Sequence, residues 1–339
     1  MNYAPLVEGP EAAVAAALDR HTDGIAARTS GSTGEPREVW VSGAAMRASS
    51  AATLDRLGGP GHWLLAMPTD RIAGAMVLAR ARMADASVTT LATGPFTAAA
   101  FAAATAAMPH GRRYVSLVPT QLRRVIADPA GADALASFDA VLIGGAPPGM
   151  ALPANAVETY GMTETSGGCV YDGRPLDDVA VRIAADGRIE IAGPTLADGY
   201  RDGDNSAFLT DDAARWFRTS DLGAWDGERL VVHGRADHVI ITGGHNVHPA
   251  AVERAMADAG VAHAIVVGLP DPEWGERIIA VVHDDAPSIA AVRATLDLPR
   301  HALPRALVRV TQIPRTEAGK IDRSAARALA AASDLEETS

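Results

Sequence analysis

The sequence predicts an α/β protein in two parts. A large N-terminal α/β domain carries an antiparallel β subdomain, and a small α+β domain follows it. Three observations predict this. Through about residue 143, Ala-rich helical segments alternate with short apolar or β-branched runs, the pattern of helices layered on a largely parallel sheet. From about residue 168, short strands and Gly/Asp turns dominate. After Arg235 the chain returns to strand, turn and helix for about a hundred residues, within the usual size of one domain. The length of 339 residues agrees with two domains at roughly 150 each. We place the division at residues 1–235 and 236–339.

In chain order, residues 11–20 (EAAVAAALDR) are Ala-rich with a basic end and read as a helix, as do residues 45–57. His62–Met67 (HWLLAM) reads as a buried strand, Ile72–Asp85 as a helix and Ser87–Leu91 (SVTTL) as a strand. Residues 97–107 are helical. Tyr114–Val118 and Ala140–Ile143 are further buried strands. VAVRI, RIEIAG and DGERLVVHGR form the antiparallel stretch. In the last part, VIITGGHNVHPAAVERAMADAG reads strand, turn, helix. HAIVVGL and ERIIAVVH are strands, a helix lies near 289–297, and a strand spans 307–313. The final residues, DLEETS, read as a frayed acidic tail.

Composition narrows the function classes. Hydrophobic residues make up 48% of the chain, enough for a full core, and aromatics only 4%, so that core rests on Ala, Val, Leu and Ile. The net charge of −11 repels phosphate backbones, so nucleic acid is not an expected partner, although a local basic pocket for a small phosphate ligand is compatible with it. Cys169 is the single cysteine, which excludes an internal disulfide and a CxxC zinc site. It reads as a small buried residue. No charge-free apolar run of about 18 residues exists, and the first residues lack a signal-peptide pattern, so no membrane span is expected and the location reads as cytoplasmic.

Four segments carry chemistry. Thr29-Ser30-Gly31-Ser32-Thr33-Gly34-Glu35-Pro36-Arg37 supplies hydroxyls, glycines that let backbone N–H groups converge on an anion, and a cation. It lacks the GK[ST] ending of a P-loop, and taken alone it reads equally as a Ser/Gly turn. Tyr160-Gly161-Met162-Thr163-Glu164-Thr165 pairs a hydroxyl with a carboxylate, which suits a phosphate and its Mg²⁺. Alone it is also a surface turn. Thr219-Ser220-Asp221-Leu222-Gly223, with Gly234-Arg235-Ala236-Asp237, offers a carboxylate for ribose hydroxyls and an arginine for ribose or phosphate, or else a hairpin with a surface ion pair. Pro314-Arg315-Thr316-Glu317-Ala318-Gly319-Lys320-Ile321-Asp322-Arg323 presents a lysine on a tight turn, or is an ordinary basic loop.

Together, in this order and spacing, these segments resemble the adenylate-forming superfamily of acyl-CoA synthetases, luciferases and peptide-synthetase adenylation domains. Gly144-Gly145-Ala146-Pro147 and Ile241-Thr242-Gly243-Gly244-His245-Asn246-Val247-His248-Pro249 join the match, which runs from about Thr29 to Arg323. The resemblance implies a two-step reaction with ATP, Mg²⁺ and a thiol co-substrate. Residues 30–37 would hold the β- and γ-phosphates. Thr163 and Glu164 would serve the α-phosphate and the metal. Gly144–Pro147 would flank adenine and the acyl group, with Tyr160, Gly161 and Met162 in the same nucleotide site. Asp221 and Arg235 would grip ribose. Lys320 would bridge the acyl carboxylate and the α-phosphate, where a cation stabilises charge building in the transition state. Asp237 stands at the hinge about which a mobile C-terminal domain rotates, withdrawing Lys320 and bringing in the Gly243–Gly244 loop.

Val118-Pro119-Thr120-Gln121-Leu122 and LDRLGGPGHWLLAMP (54–68) resemble stretches of the o-succinylbenzoate–CoA ligases of menaquinone biosynthesis. In that branch an arginine at the position of Arg80 is proposed to bind the succinyl carboxylate, and Arg71 is a second candidate. An unreacting carboxylate needs a cation, because a buried unpaired charge is costly. From the residues alone, either arginine also fits an exposed helix face. Trp274 in Asp271-Pro272-Glu273-Trp274-Gly275-Glu276 matches a segment near the pantetheine tunnel, which implies CoA as the thiol; a core tryptophan is the other reading. The chain departs from the family at Arg37, where lysine is usual, and at Arg71, where histidine is usual. Only 28 residues precede Thr29, which by the resemblance implies a reduced N-terminal subdomain, with either a thinner substrate wall or an exposed surface for a homodimer. The alternatives are a CoA ligase for another aryl or short-chain acid, and a nucleotide-binding module without turnover.

Overall fold

The computed structural model describes residues 2–29, 36–146, 150–261, 263–315, 321–333 and 335–337. They fall into two compact units. The first comprises Met1–Ala184, Ile189–Thr219 and Trp225–Leu230; the second comprises Ala185–Arg188, Ser220–Ala224 and Val231–Ser339.

In the first unit, a small sheet runs in the order β1 (Tyr3–Pro5), β2 (Gly24–Arg28), β3 (Glu38–Ser42), β13 (Gly199–Tyr200). The β2–β3 pair is an antiparallel hairpin whose connection carries residues 29–37. Gly24 is needed in it, since a Cβ there would come 2.1 Å from the Val41 carbonyl oxygen. The sequence alone does not assign this hairpin, because GIAAR and EVWVS are short and neither shows a clear strand pattern by itself.

The larger sheet has seven strands in the order β10 (Arg174–Pro175), β9 (Gly167–Tyr171), β8 (Ala156–Met162), β7 (Ala140–Ile143), β6 (Arg113–Leu117), β4 (His62–Leu65), β5 (Val88–Thr90). From β5 to β8 every pair is parallel; β9 and β10 are antiparallel additions. β7 passes to β8 with no helix among the described residues, and the other parallel strands are joined in chain order by helices, as parallel geometry favours. These are α3 (Ile72–Met83), α4 (Ala98–Ala106), α5 (Pro119–Ile126) and α6 (Pro129–Ala136), while α1 (Pro10–Leu18) and α2 (Gly43–Arg56) precede them. Helix starts are fixed by side chains: Ser42 caps α2, Thr97 caps α4 and Asp128 caps α6.

Leu64, Val115, Leu117, Val141 and Ile143 bury one face of this sheet with Phe101, Leu122 and Leu135 from the helices. Strands covered on both faces read as continuous apolar runs, which is why HWLL and AVLI were legible. Gln121 latches the sheet near the carboxyl end of β4: its amide nitrogen donates to the Ala66 carbonyl (2.9 Å) and its oxygen accepts from the Val118 N–H (3.0 Å). Strand order reverses about β4, with β5 on one side and β6 on the other. In open α/β sheets the crevice outside the carboxyl ends at such a reversal is where ligands bind.

A further sheet runs β11 (Ala180–Ile183), β12 (Arg188–Ala192), β15 (Arg215–Asp226), β14 (Phe208–Thr210), with β16 (Arg229–Arg235) beside β15. It matches the expected antiparallel stretch.

In the second unit, β18 (His245–Val247), β17 (Ile240–Thr242), β20 (Gly275–His283), β21 (Ala306–Val310) and β22 (Glu336–Glu337) form one sheet, and β19 (Ile265–Asp271) also pairs with β20. Alternate residues of β19 and β20 feed two cores. Val266, Ile278, Ala280 and Val282 pack with α7 (Pro249–Asp258) and α8 (Ile289–Thr295). Ile265, Val267, Ile279 and Val281 pack with α9 (Arg323–Ala332). The period-two pattern buries both faces.

The acidic tail corrects one expectation. Glu336 and Glu337 are not frayed: they form β22, antiparallel to β21. Glu336 accepts from the Ile289 N–H (2.9 Å) and from Arg309 (3.0 Å), and Glu337 pairs with Arg277 (2.6 Å). The arginines on β20 and β21 hold a segment that its composition alone marked as loose.

Candidate active site

Ser30, Gly31, Ser32, Thr33 and Gly34 lie outside the described residues, but Thr29 and Arg37, which flank them, are hydrogen-bonded to each other. The Thr29 N–H donates to the Arg37 carbonyl (2.8 Å), and the Arg37 N–H donates to Thr29 Oγ1 (2.9 Å). The hairpin register, with Arg28 opposite Glu38, sets this base. Arg71, at the start of α3, donates to the Thr29 carbonyl at 3.1 Å and lies 3.6 Å from Asp70. It thereby ties Thr29 to the start of α3.

The Arg37 guanidinium makes a two-pronged contact with Asp202 (2.9 and 2.7 Å), donates to the Asp204 carbonyl and lies 3.5 Å over the Tyr200 ring. The Arg37 contact holds the Asp202 carboxyl below its ordinary pKa.

On the other side of Tyr200 stands the Thr-Glu pair. β8 delivers Tyr160, Gly161 and Met162, and a single 3₁₀ turn then presents Thr163 and Glu164, which are 7% and 8% exposed. Tyr200 donates from its hydroxyl to Glu164 Oε1 at 2.7 Å. Burial first, and the Glu164 carboxylate second, push the Tyr200 phenol far above its ordinary pKa, so it stays a donor.

The turn is locked from several directions. Thr165 Oγ1 accepts from the Met162 N–H and donates to the Gly167 carbonyl (2.8 Å). Ser166 Oγ donates to the Thr195 carbonyl (2.7 Å), and Ser49 Oγ donates to the Ser166 carbonyl (3.0 Å). Ser166 itself takes the left-handed backbone at φ 55°. Gly161 is obligatory because a Cβ there would come 2.1 Å from the Gly167 carbonyl oxygen.

At the carboxyl end of β7, Gly144 faces Thr159: a Cβ on it would lie 2.6 Å from Thr159 Oγ1. Gly145 and Ala146 follow and are exposed. Pro147 lies outside the described residues. Arg80, on α3, is 4% exposed, so the exposed-helix-face alternative does not hold for it. Its guanidinium reaches the start of β9, where a Cβ on Gly167 would be 3.9 Å from a terminal nitrogen. Cys169 is wholly buried, and burial pushes its thiol up to about 12, which makes it inert at neutral pH.

Within the first unit the structure therefore brings together Thr29, Arg37, Arg71, Thr163, Glu164 and Tyr200, with Arg80 beside Gly167.

The remaining candidates belong to the second unit. Asp221 lies on β15 and Arg235 ends β16. The Arg235 fork closes on both oxygens of Asp237, each at 2.9 Å. The Gly243 N–H donates to the Trp274 carbonyl (2.8 Å), and a Cβ on Gly243 would come 2.9 Å from the Trp274 ring. Arg305 lies 3.9 Å over that ring. Trp274 is half-buried rather than a core residue. Gly244 takes φ 78° in the same turn. Lys320 lies outside the described residues.

Sequence reasoning missed Tyr200 and Asp202. Their signal was present in Gly199-Tyr200-Arg201-Asp202-Gly203-Asp204: an aromatic beside glycine and acidic turn residues, in a chain with few aromatics. Among the described residues no cluster of three or more His, Cys, Asp or Glu side chains has metal-binding geometry, and no helix is long and apolar enough to cross a membrane.

Residues 28–201 match the family described as AMP-binding enzyme, and residues 253–320 match the AMP-binding enzyme C-terminal domain. A probable 2-succinylbenzoate–CoA ligase of Mycobacterium tuberculosis is 46% identical over 317 residues, an alignment covering 88% of this chain and 82% of that protein. Among solved structures, ATP-bound MatB from Rhodopseudomonas palustris superposes with a TM-score of 0.78 at 25% identity, covering 90% of this chain and 67% of that one. The o-succinylbenzoate CoA synthetase of Bacillus subtilis, in complex with its acyl-adenylate intermediate, gives 0.75 at 24% identity over 89% and 68%, a likeness of fold.

Proposed function

The chain belongs to the AMP-binding enzyme family, and we propose that it is an AMP-forming acid–thiol ligase that activates o-succinylbenzoate with ATP and transfers it to CoA, a step of menaquinone biosynthesis. The observation that carries the chemistry is the buried Glu164, held by Tyr200 at 2.7 Å beside the closed base of the 29–37 turn. The choice of acid is supported by the 46% identity to the mycobacterial ligase and by the burial of Arg80.

In the first step a carboxylate oxygen of the acid attacks the α-phosphorus of ATP. The bond from that phosphorus to the bridging oxygen breaks, and pyrophosphate leaves. Residues 30–37 cradle the β- and γ-phosphates, while Thr29 and Arg71 hold the base of that turn. Thr163 donates to the α-phosphate. Gly144, Gly145, Ala146 and Pro147 line adenine and the acyl group together with Tyr160, Gly161 and Met162. Magnesium bound by one carboxylate and substrate phosphates needs no cage of protein ligands, and the buried Glu164 fits that donor set. When bound, the ion neutralises phosphate charge. Asp221 and Arg235 engage ribose, and Lys320 bridges the attacking carboxylate and the α-phosphate.

In the second step the CoA sulfur attacks the acyl carbon, the carbon–oxygen bond to AMP breaks, and the thiol proton passes to solvent. Gly243, Gly244 and Trp274 serve this step, with Asp237 as the hinge between the parts 1–235 and 236–339. We assign the enzyme to the cytoplasm, where its ATP and CoA are found.

The test is AMP formation dependent on o-succinylbenzoate, with and without CoA, in the wild type and in Lys320→Ala. The variant is expected to lose adenylation and to keep thioester formation from supplied acyl-adenylate. Adenylation at the normal rate would remove Lys320 from the first step. Pyrophosphate release with benzoate but none with o-succinylbenzoate would refute the acid assignment.

A further inference from the structure

Five buried donors in the first unit, on Ser50, Trp63, Arg80, Thr195 and Trp216, meet no acceptor among the described residues, and those of Trp63 and Arg80 stand on side chains that face each other. Trp63, on β4, is 0% exposed and its indole Nε1–H is unpartnered. Arg80 has an unpartnered Nε–H and forms no ion pair among the described residues. The guanidinium carbon stands 5.4 Å from the centre of the Trp63 ring. Tyr114, packed against the same indole at 5.2 Å, is a useful contrast. Its hydroxyl is satisfied by the carbonyls of Leu57 (3.1 Å) and Gly59 (3.0 Å). Among the described residues, acceptors thus stand next door and none reaches the Trp63 indole N–H or the Arg80 Nε–H.

A buried N–H without a partner is destabilising, and a buried guanidinium without an anion is more so. Neighbouring unpartnered donors fit one ligand group with two acceptor oxygens. Gly167 lies beside the pair: a Cβ on it would sit at ordinary contact distance, 3.7 Å from Met76 Cγ and 3.9 Å from the Arg80 terminal nitrogen.

We propose that Trp63 is a specificity residue whose indole N–H donates, beside Arg80, to the carboxylate of the acid substrate that does not react. The proposal rests on the reading of this enzyme as a ligase for a dicarboxylic aryl acid with Arg80 in its acyl site. A dicarboxylate brings the missing acceptors into the pocket; a monocarboxylate leaves both donors unpaired. Trp63 thus contributes discrimination between acids and nothing to the handling of ATP.

The test replaces Trp63 by 3-benzothienylalanine, which keeps the ring and exchanges N–H for sulfur, with Trp63→Phe as a second variant. Steady-state constants are measured for o-succinylbenzoate, benzoate and ATP, and circular dichroism checks folding. Loss of one hydrogen bond to a charged group is expected to raise KM for o-succinylbenzoate about tenfold or more. The KM for ATP and the weak use of benzoate should stay within about twofold. A folded benzothienyl variant that retains the wild-type preference for o-succinylbenzoate over benzoate overturns the role of Trp63 alone. A wild type that prefers benzoate overturns the acid assignment, and this proposal with it.

Discussion

The Tyr200 hydroxyl donates to Glu164 Oε1 at 2.7 Å while the face of the same ring carries the Arg37 guanidinium at 3.5 Å. One aromatic side chain thus connects the exit of the 29–37 turn with the carboxylate assigned to the metal. A hydroxyl bonded to a buried carboxylate restricts its rotation, and the guanidinium over the ring restricts the ring in turn.

Tyr200→Phe keeps the ring and removes the donor. Loss of a hydrogen bond to a charged group is expected to reduce adenylation about tenfold or more. The Mg²⁺ concentration for half-maximal rate should rise, because Glu164 loses its fixed orientation. The melting temperature should fall by about 1–2 °C, as for about 1 kcal/mol in a chain of 339 residues. An unchanged magnesium dependence, measured by pyrophosphate release across a magnesium titration, would separate Tyr200 from the metal site.

Arg80→Met should stabilise the protein and disable it. The side chain is 4% exposed and has no ion-pair partner among the described residues, and replacing such a buried charge by an apolar group of similar length is favourable. We expect thermal denaturation to shift upward while use of o-succinylbenzoate is lost and ATP binding is kept. A melting temperature lowered by the change would mean that Arg80 is a structural element of the core.

Gly243→Ala tests the second half-reaction. Gly243 sits at φ 55°, in the left-handed region, and the new Cβ would come 2.9 Å from the Trp274 ring. Either the loop or the indole must move. Thioester formation from supplied acyl-adenylate is expected to slow about tenfold, with acid-dependent pyrophosphate release unaltered. Equal loss in both steps would place this loop in adenylation.

The buried parallel strands were legible because apolar runs such as AVLI, set between Ala-rich helices, fit little besides a strand covered on both faces. The hairpin of β2 and β3 was not, since its strands gain their definition from each other and from β13, nearly 160 residues downstream. The same distance hid Tyr200. No local pattern announces a tyrosine as the partner of Glu164; β13 pairing with β3 delivers it. The acidic tail failed for the related reason that its charges are matched by Arg277 and Arg309, far away along the chain.

By itself the sequence determined the α/β class, the segments bearing hydroxyl, glycine, carboxylate and ammonium groups, and their order, because periodicity and turn chemistry are local properties. The tertiary structure alone decided that Arg80 is buried with no ion-pair partner among the described residues, that Arg71 holds the Thr29 carbonyl, and that Arg37 turns to Asp202. Burial and charge pairing depend on which distant groups arrive alongside, and that is set only when the sheets assemble.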